Sequence, residues 1–297
     1  MKHRPRSTQL RPLALGLLWI SPWLVGTLVF LAIPAAVSMY LSFTDYSLLR
    51  SPVFVGLDNY RELSGDGTLW TAVGNTAVFA VSSVALSTVL SVALAALLEQ
   101  SFRGAALARA IVFLPTLVPA VATSVCWLWM YNTKFGLVNS ALALVGIPGP
   151  DWLGDRSLAL GSLIFASLWV VGSAVMVCSA GLKEVPRSLY ESADIDGVNR
   201  RARFWHVTLP IISPAVLFNA VMSLIWSSQV FAAPYIMTKG GPQRATTVYA
   251  MYLYNNAFVY GRMGYACALA WVQILLILAA TAALLRFAGK HVYYRGL

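Results

Sequence analysis

Charged residues are scarce in this chain of 297 residues, where Asp, Glu, Lys and Arg make up 11% against about 25% in soluble domains. Apolar residues make up 59%. The long apolar runs contain no Asp, Glu, Lys or Arg, so they lack the charges that ion-coupled carriers and voltage sensors place within the membrane. The composition excludes an ordinary soluble domain and indicates a protein of the lipid bilayer.

Cysteine and histidine are also scarce, with three residues of each type, no Cys-x-x-Cys pair and no Cys/His spacing typical of a metal site. The only Gly-Lys pair, Gly289-Lys290, is followed by His291, so no phosphate-binding G-x4-G-K-[S/T] loop exists. We therefore expect no metal, no cofactor and no catalytic residue. If the protein moves solute uphill, another polypeptide must hydrolyse ATP for it.

Six apolar runs are long enough to cross about 30 Å of hydrocarbon, which takes about 20 helical residues. The predicted spans are 13–43, 71–98, 110–131, 158–182, 207–232 and 264–285. We predict an all-α membrane protein whose residues 1–297 form one transmembrane domain surrounded by lipid. Between the fourth and fifth spans lies a polar insert, residues 183–206.

Basic residues are unevenly divided between the two sides of the predicted spans. If the N terminus is cytoplasmic, two thirds of the 21 Lys and Arg residues lie inside. They are Lys2, Arg4, Arg6, Arg11, Arg103, Arg109, Lys183, Arg187, Arg200, Arg201, Arg203, Arg286, Lys290 and Arg295. Both termini are therefore predicted to be cytoplasmic, and the net charge of +10 reflects topology rather than nucleic-acid binding. The last outer loop, with Lys239, Arg244 and Arg262, departs from this rule.

Proline pairs four residues apart mark two spans, Pro115 with Pro119 and Pro210 with Pro214. Each proline removes a backbone hydrogen bond and tends to kink its helix, either as a structural bend or beside a cavity.

The second outer loop carries Phe135–Val145, whose apolar residues recur at helical spacing, followed by Gly146. This predicts a short helix at the membrane surface. Trp127, Trp129 and Tyr131 just before it are expected to form an aromatic belt.

The polar insert has the signals of a short cytoplasmic helix. Pro186 suits its first turn, Arg187–Ile195 has helical character, and Gly197 suits a left-handed stop. A second short amphipathic helix through Phe204 and Trp205 leads into Pro210. From these residues alone, the first helix is either an interfacial anchor or a docking helix.

The insert also carries a spaced motif. Membrane subunits of binding-protein-dependent ABC importers have the pattern E-A-A-x3-G-x9-I-x-L-P, which this chain resembles with every spacing kept. The matching residues are Glu191, Ser192, Ala193, Gly197, Val207, Leu209 and Pro210. Ser192 in place of alanine and Val207 in place of isoleucine are mild departures.

Further segments resemble the carbohydrate branch of that family, in the expected order. They are Ser42-Phe43-Thr44, Gly56-Leu57-Asp58-Asn59-Tyr60, Asn75-Thr76, Phe113-Leu114-Pro115, Gly136-Leu137-Val138-Asn139 and Gly240-Gly241-Pro242. The chain departs from the family at Phe231-Ala232, where an Asp often follows the Phe, and at Lys239, where a third glycine is common.

The resemblance implies one half of a heterodimeric pore in the cytoplasmic membrane of a bacterium, alternating between inward- and outward-facing states. It implies three kinds of partner: a second permease, two ATP-binding subunits and an extracytoplasmic solute-binding protein. The helix around Glu191 would fit a groove on the ATPase. The alternatives are import of glycerol-3-phosphate or a polyol by the same machine, or a facilitator that needs no ATPase.

Sugars are bound by aromatic faces and by groups that match hydroxyls, and Trp226-Ser227-Ser228-Gln229 is the densest such group in the later spans. Gln229 is expected to face the solute path, because its amide offers two donors and an acceptor. Sparser candidates are Trp169, Asn219, Tyr265 and Gln273. Each side chain has an alternative role as an interhelical hydrogen bond or a lipid-facing anchor.

The uneven basic charge gives a test of topology. Cysteines introduced at Gly65 and Gly149 should react with a membrane-impermeant thiol reagent applied outside intact cells, and a cysteine at Asn199 should not. External labelling at Asn199 would overturn the six-span assignment.

Overall fold

The structure, a computed structural model, describes residues 7–100 and 102–293, with the backbone alone for 7–14 and 291. Lys2, Arg4, Arg6 and Arg295 from the predicted cytoplasmic set lie outside these ranges. The chain forms two compact units, unit 1 with Met1–Gly65 and Asn255–Val272, and unit 2 with Asp66–Tyr254 and Gln273–Leu297.

The described residues are mainly helical, as the sequence predicted. Unit 1 contains α1 Ser7–Thr27, α2 Ile33–Leu41, strands β1 Thr44–Asp45 and β2 Val53–Phe54, and α3 Asp58–Gly65. Unit 2 contains α4 Gly67–Leu98, α5 Ala105–Phe113, α6 Ala120–Met130, α7 Leu137–Leu144, α8 Ala159–Ser167, α9 Gly172–Lys183, α10 Arg187–Ile195, α11 Arg200–Arg203, α12 Leu209–Ser228 and α13 Tyr249–Tyr254. The last helix, α14 Met263–Ala288, begins in unit 1 and continues in unit 2.

Within the described residues, four helical runs are long and apolar enough to cross a membrane: Leu15–Leu41, Gly67–Leu98, Arg200–Ser228 and Met263–Ala288. The third and fourth predicted spans are instead bent pairs of helices, so the number of spans is six if each pair is one span. The fifth helix begins earlier than hydropathy indicated, because helical hydrogen bonding continues into the polar residues from Arg200 onward.

Unit 1 joins two of the sequence segments noted above. The Asn59 amide donates to the carbonyl oxygens of Ser42 and Thr44 at 2.9 Å each. The Ser42 and Tyr60 hydroxyls lie 2.8 Å apart. Strands β1 and β2 pair antiparallel beside them, with Thr44 opposite Phe54. These contacts fix the chain where α2 leaves the apolar region.

The third span bends by 103° between Ala105–Leu117 and Ala120–Met130, as the proline pair predicted. Pro119 is extended, with ψ 141°, and directly precedes α6. The fourth span bends by 50° at Gly172. A Cβ atom on Gly172 would lie 2.4 Å from the Val112 carbonyl oxygen. The third span therefore packs directly against the bend in the fourth.

The second proline pair does not break its helix, which is continuous over Arg200–Ser228. A π-helical turn, Phe204–Thr208, comes directly before Pro210. Pro214 cannot donate to the Pro210 carbonyl, and the Ser213 hydroxyl donates to that oxygen instead, at 2.6 Å. A local side chain thus replaces the lost backbone hydrogen bond.

Helices α4, α9 and α12 pack together at the centre of unit 2. One core cluster includes Ala95 of α4, Cys178 of α9 and Ile212 of α12. Asn219 is buried at this contact, where its amide donates to the Ala174 carbonyl oxygen at 2.9 Å and to the Cys178 sulfur at 3.2 Å. Asn219 is therefore an interhelical tie.

The predicted aromatic belt is wrong for two of its three members. Trp127 is 5% exposed and Tyr131 is 4% exposed, and both belong to a core cluster with Phe79 and Leu163. Trp129 alone is largely exposed. Because the chain bends before α6, one face of that helix packs against the core. The presence of aromatic residues near the end of a span does not reveal such packing.

The predicted outer-loop helix is confirmed as α7, and Gly146 follows it with φ +75°. Two positions of the labelling test given above are better replaced by their neighbours. A Cβ atom on Gly149 would lie 2.2 Å from Asn139 Cγ, so the exposed residue Ile147 is a better site for the introduced cysteine. Asn199 caps α11 through Ala202 N–H, and exposed Arg201 avoids the loss of that cap.

The packing at Gly172 gives a stability prediction. Gly172→Ala should destabilise the protein by about 1–3 kcal/mol, because the added methyl overlaps the backbone of the third span. The readout is the melting temperature of the purified protein. Gly161→Ala is the matched control, since Gly161 lies in α8 with nothing within 4 Å of its Cβ position. Equal melting temperatures for the two variants would contradict the close contact.

Candidate coupling surface and solute groove

Helix α10 begins and ends where the sequence predicted. Pro186 precedes it with φ −63° and ψ 134°. At the other end Gly197 has φ +69°, and Val198 N–H donates to the Ala193 carbonyl oxygen at 2.9 Å. A non-glycine residue is disfavoured at this φ, although no atom lies within 4 Å of the Gly197 Cβ position.

The inner face of α10 is fixed to the start of the fifth helix. The Tyr190 hydroxyl lies 3.2 Å from Thr208 Oγ1. The Arg203 guanidinium lies over the Tyr190 ring, 5.2 Å from its centre, and forms an ion pair with Asp194. Ala193 is buried between them. Because Arg203 and Thr208 belong to the run that continues into α12, α10 is tied to that long helix.

The outer face of α10 is free of such contacts. Glu191 and Ser192 are exposed, and Glu191 forms no ion pair with any other residue that the structure describes. Ile195, one turn after Glu191, is 86% exposed. A short helix that carries an exposed carboxylate and an exposed aliphatic side chain, anchored from behind, is suited to docking.

Leu209 and Pro210, the last residues of the motif, lie at the start of α12. Leu209 packs on the core cluster formed by α4, α9 and α12. Pro210 is the second residue of α12 and follows the π-helical turn Phe204–Thr208 within the same continuous run. The motif thus divides into exposed residues and residues that fix the helix.

Sequence analysis missed a charged cluster behind α10. Glu99 Oε1 lies 3.8 Å from Arg109 and 3.7 Å from Lys183. A cavity of about 650 Å³ adjoins it, with Tyr190 and Arg200 among its lining residues. The only available signal was one acidic residue, Glu99, among basic ones at the ends of three predicted spans.

The four predicted solute-path residues face different surroundings. The Ser227 hydroxyl donates to the Ser223 carbonyl oxygen, the Ser228 hydroxyl to that of Leu224, and the Gln229 amide to that of Ile225. Trp226 is 72% exposed. Trp226 and Ser227 line a groove, whereas Ser228 lines a smaller apolar cavity with Gln273, whose amide donates to the Ser228 carbonyl oxygen.

The groove has a volume of about 570 Å³ and lies between α4, α12 and the bent fourth span. Among its lining residues are the six serines Ser83, Ser87, Ser167, Ser173, Ser223 and Ser227. Hydroxyl pairs meet across it, with Ser83 and Ser167 3.4 Å apart and Ser87 and Ser223 3.1 Å apart. No ionisable side chain lines this groove.

Sequence analysis singled out none of these serines except Ser227. Ser83 and Ser87 lie four residues apart in α4, as do Ser223 and Ser227 in α12. Two such stripes were a usable signal, but only the structure shows that they face each other. Among the described residues, no group of three or more His, Cys, Asp or Glu could hold a metal ion.

The family profile described as "Binding-protein-dependent transport system inner membrane component" matches residues 87–292, well over half of the chain. The chain belongs to this family. It is therefore a multi-pass inner-membrane permease, and both helix α10 and the groove lie within the matched region, apart from Phe79 and Ser83.

Relatives cover this permease along nearly its full length. It is 36% identical to "Probable ABC transporter permease protein YesP" of Bacillus subtilis (strain 168), over 94% of this chain and 92% of that one. It is 32% identical to "Trehalose/maltose transport system permease protein MalF" of Thermococcus litoralis (strain ATCC 51850 / DSM 5473 / JCM 8560 / NS-C), over 91% and 92%.

One solved structure shares the fold with a TM-score of 0.84 at 20% identity, over 95% of this chain and 98% of that chain. It is described as "Crystal structure of a bacterial ABC transporter involved in the import of the acidic polysaccharide alginate". At this identity the likeness establishes the fold of the permease and nothing about its solute.

The groove gives a transport prediction. Ser87→Leu should lower solute flux through the assembled transporter by about tenfold, because the larger side chain fills the groove where α4 faces α12. Complex yield and ATP hydrolysis should stay normal. Ser82→Leu is the matched control, since Ser82 lies on the same helix outside the groove lining. Similar flux in both variants would contradict a path through this groove.

Proposed function

We propose that this chain is a permease subunit of an ABC importer that takes up a neutral sugar or oligosaccharide by alternating access. The observation that carries the proposal is the groove lined by six serines without an ionisable side chain. Hydroxyl groups both donate and accept hydrogen bonds, which suits the hydroxyls of a sugar. The Trp226 ring at the groove offers an apolar face for a sugar ring.

The second half of the proposal is that α10 docks on an ATP-binding subunit, and that two such subunits drive the cycle. The exposed Glu191 and Ile195 are the contact groups. Tyr190 and Asp194, held to Thr208 and Arg203, transmit movement of α10 to the fifth helix. Rigid-body displacement of a packed helix is a common switching mechanism. ATP hydrolysis then belongs to the separate subunit.

Three further features complete the proposed assembly. The charge distribution favours cytoplasmic termini, so α10 faces the cytoplasm, where ATP is available. The groove is bounded by α4, α12 and the bent fourth span of one chain, and a second, different permease would close it. An extracytoplasmic solute-binding protein would deliver the sugar. One solved transporter with this fold is described as "in complex with alginate pentasaccharide-bound periplasmic protein".

Two alternatives are less well supported. Glycerol-3-phosphate is the solute named for a relative that is 29% identical, "sn-glycerol-3-phosphate transport system permease protein UgpA" of Agrobacterium fabrum (strain C58 / ATCC 33970). A phosphate would favour basic side chains, and the groove lining has none. A facilitator works without an ATPase, so it would not need a docking helix such as α10, which is fixed on one face and exposed on the other.

Reconstitution tests the proposed function. The permease, its partner permease and the ATP-binding subunits are placed in proteoliposomes with the binding protein and labelled trehalose, maltose or glycerol-3-phosphate. We expect ATP-dependent uptake of a neutral sugar. Equal uptake without ATP would support the facilitator, and uptake of glycerol-3-phosphate alone would overturn the neutral-sugar assignment.

Variants of α10 test coupling in the same system. Glu191→Lys should reduce ATP-driven uptake at least about tenfold, because it reverses a charge at the proposed contact. Gly197→Val should do likewise, because a β-branched side chain is strongly disfavoured at the positive φ of this turn. Glu184→Lys, an exposed charge reversal outside α10, is the control. Normal uptake in both α10 variants would exclude a docking role.

A further inference from the structure

A polar cavity of about 650 Å³ lies behind α10. Helices α4 and α9 end at it and the fifth helix begins there, since Glu99 follows α4, Leu182 is next to last in α9 and Arg200 begins the fifth helical run. Its polar lining residues are Glu99, Gln100, Tyr190, Arg200, Arg203 and Thr208. Neither Glu191 nor Ile195 lines it, so the cavity is separate from the face of α10 that is proposed to meet the ATP-binding subunit.

The carboxylates at the cavity are each paired with basic side chains. Glu99 Oε1, in the lining, lies 3.8 Å from Arg109 and 3.7 Å from Lys183. Asp194 of α10 forms an ion pair with Arg203. Both distances from Glu99 are longer than a hydrogen bond, and among the described residues Glu99 Oε1 and Arg109 Nε are buried without a hydrogen-bond partner. The basic groups here outnumber the carboxylates that they pair with.

Arg200 is the cation of the lining that has no acidic partner. It is exposed and pairs with none of the carboxylates that the structure describes. Arg203 uses Nη1 for Asp194, and a guanidinium has five N–H donors. The Tyr190 and Thr208 hydroxyls share one hydrogen bond of 3.2 Å, so one of the two keeps a hydrogen to donate elsewhere. These donors suit the oxygens of a phosphate, which guanidinium groups bind strongly.

Apolar side chains at the same level indicate the source of that phosphate. Leu97 is 58% exposed and Trp205 is 56% exposed, and they adjoin the lining residues Ala96 and Phe204 in the chain. An exposed tryptophan beside basic residues at a helix end is typical of the membrane–water interface. A phospholipid carries its phosphate at this depth with acyl chains next to it, and basic pockets between helices bind anionic headgroups there. Free phosphate would gain nothing from these apolar neighbours.

We propose that the polar cavity behind α10 binds the phosphate of an anionic phospholipid from the cytoplasmic leaflet, with Arg200 as the principal contact. The assignment to that leaflet rests on the proposed function, which places α10 in the cytoplasm. Arg203 of the fifth helix and Tyr190 of α10 line the same cavity. A bound headgroup therefore adds a contact at the connection through which α10 is proposed to move the fifth helix. Anionic lipid then strengthens the coupling of ATP hydrolysis to uptake.

The test titrates phosphatidylglycerol into the complete transporter in a neutral detergent and counts bound lipids by native mass spectrometry. Arg200→Gln should raise the dissociation constant about tenfold, because it removes a guanidinium–phosphate contact. Arg201→Gln is the matched control, since it removes the same charge at the next position, which is exposed and outside the cavity lining. Phosphatidylcholine, whose headgroup has no net charge, should bind the unaltered transporter more weakly, and equal binding of the two lipids would contradict the proposal.

Glu99→Gln should act in the opposite direction. It keeps the size of the side chain and removes a negative charge from the lining, so phosphatidylglycerol should bind about threefold more tightly. Weaker binding in this variant would mean that Glu99 holds a cationic group of the ligand, and would overturn the anionic assignment. Equal dissociation constants for Arg200→Gln and Arg201→Gln would overturn it as well. Displacement of the lipid by millimolar inorganic phosphate would assign the site to free phosphate and reject the lipid.

Uptake separates this inference from the proposed function. In proteoliposomes, adding phosphatidylglycerol to phosphatidylcholine should raise ATP-driven uptake by the unaltered transporter and by Arg201→Gln, and should leave uptake by Arg200→Gln unchanged. An equal rise in all three would overturn the role of the site in coupling. Failure of ATP-driven uptake by the unaltered transporter in both lipids would instead reject the proposed function, whereas the binding titration does not depend on transport.

Discussion

The structure depends on how backbone and amide groups inside apolar helices obtain hydrogen-bond partners without water. Within the hydrocarbon each unpaired group is costly, and this chain meets the cost with a few short polar side chains. Ser213 supplies a donor to the carbonyl that Pro214 leaves free. Asn219 joins α12 to α9 through the Ala174 carbonyl. Near the bends in the third and fourth spans, the Thr116 and Ser167 hydroxyls likewise donate to the carbonyl oxygens of Phe113 and Ile164.

Helix α4 links the two polar ends of unit 2. Asp66 caps its first turn by accepting from Thr68 N–H and Leu69 N–H, and Asn75, two turns further on, donates to the carbonyl oxygens of Arg244 and Thr247. Its middle contributes Ser83 and Ser87 to the groove. Glu99 follows its last turn and meets Arg109 and Lys183. Helix α4 contains no charged residue, yet it makes polar contacts near both ends and contributes two serines to the groove in its middle.

Much of this architecture could be predicted from the sequence, because the strongest signals are local. Apolar length located the spans, and the left-handed preference of Gly197 and Gly146 located the ends of α10 and α7. The side of the helix that each residue occupies in three dimensions could not be predicted. Trp127 is buried because the chain turns by 103° before α6. The serines of α4 and α12 meet only because the two helices pack together.

The spaced motif from Glu191 to Pro210 shows the same division between local and tertiary information. Its spacing predicted a helix, a stop and a following span, all of which depend on nearest neighbours in sequence. The contacts that give the helix a fixed inner face, from Tyr190 to Thr208 and from Asp194 to Arg203, join residues 9 to 18 positions apart. Neither pair is marked in the sequence, because aromatic–hydroxyl and ionic contacts across a turn have no characteristic spacing.

The hydroxyl lining of the groove has an evolutionary consequence. A serine hydroxyl can donate and accept at the same time, so one that donates to a protein carbonyl, as Ser227 does to Ser223, still offers an acceptor oxygen to a solute. If the proposed function holds, such a lining distinguishes little between stereoisomers of a neutral sugar, and the choice of sugar then rests with the soluble receptor. A change of receptor could then change the imported sugar while the groove stays as it is.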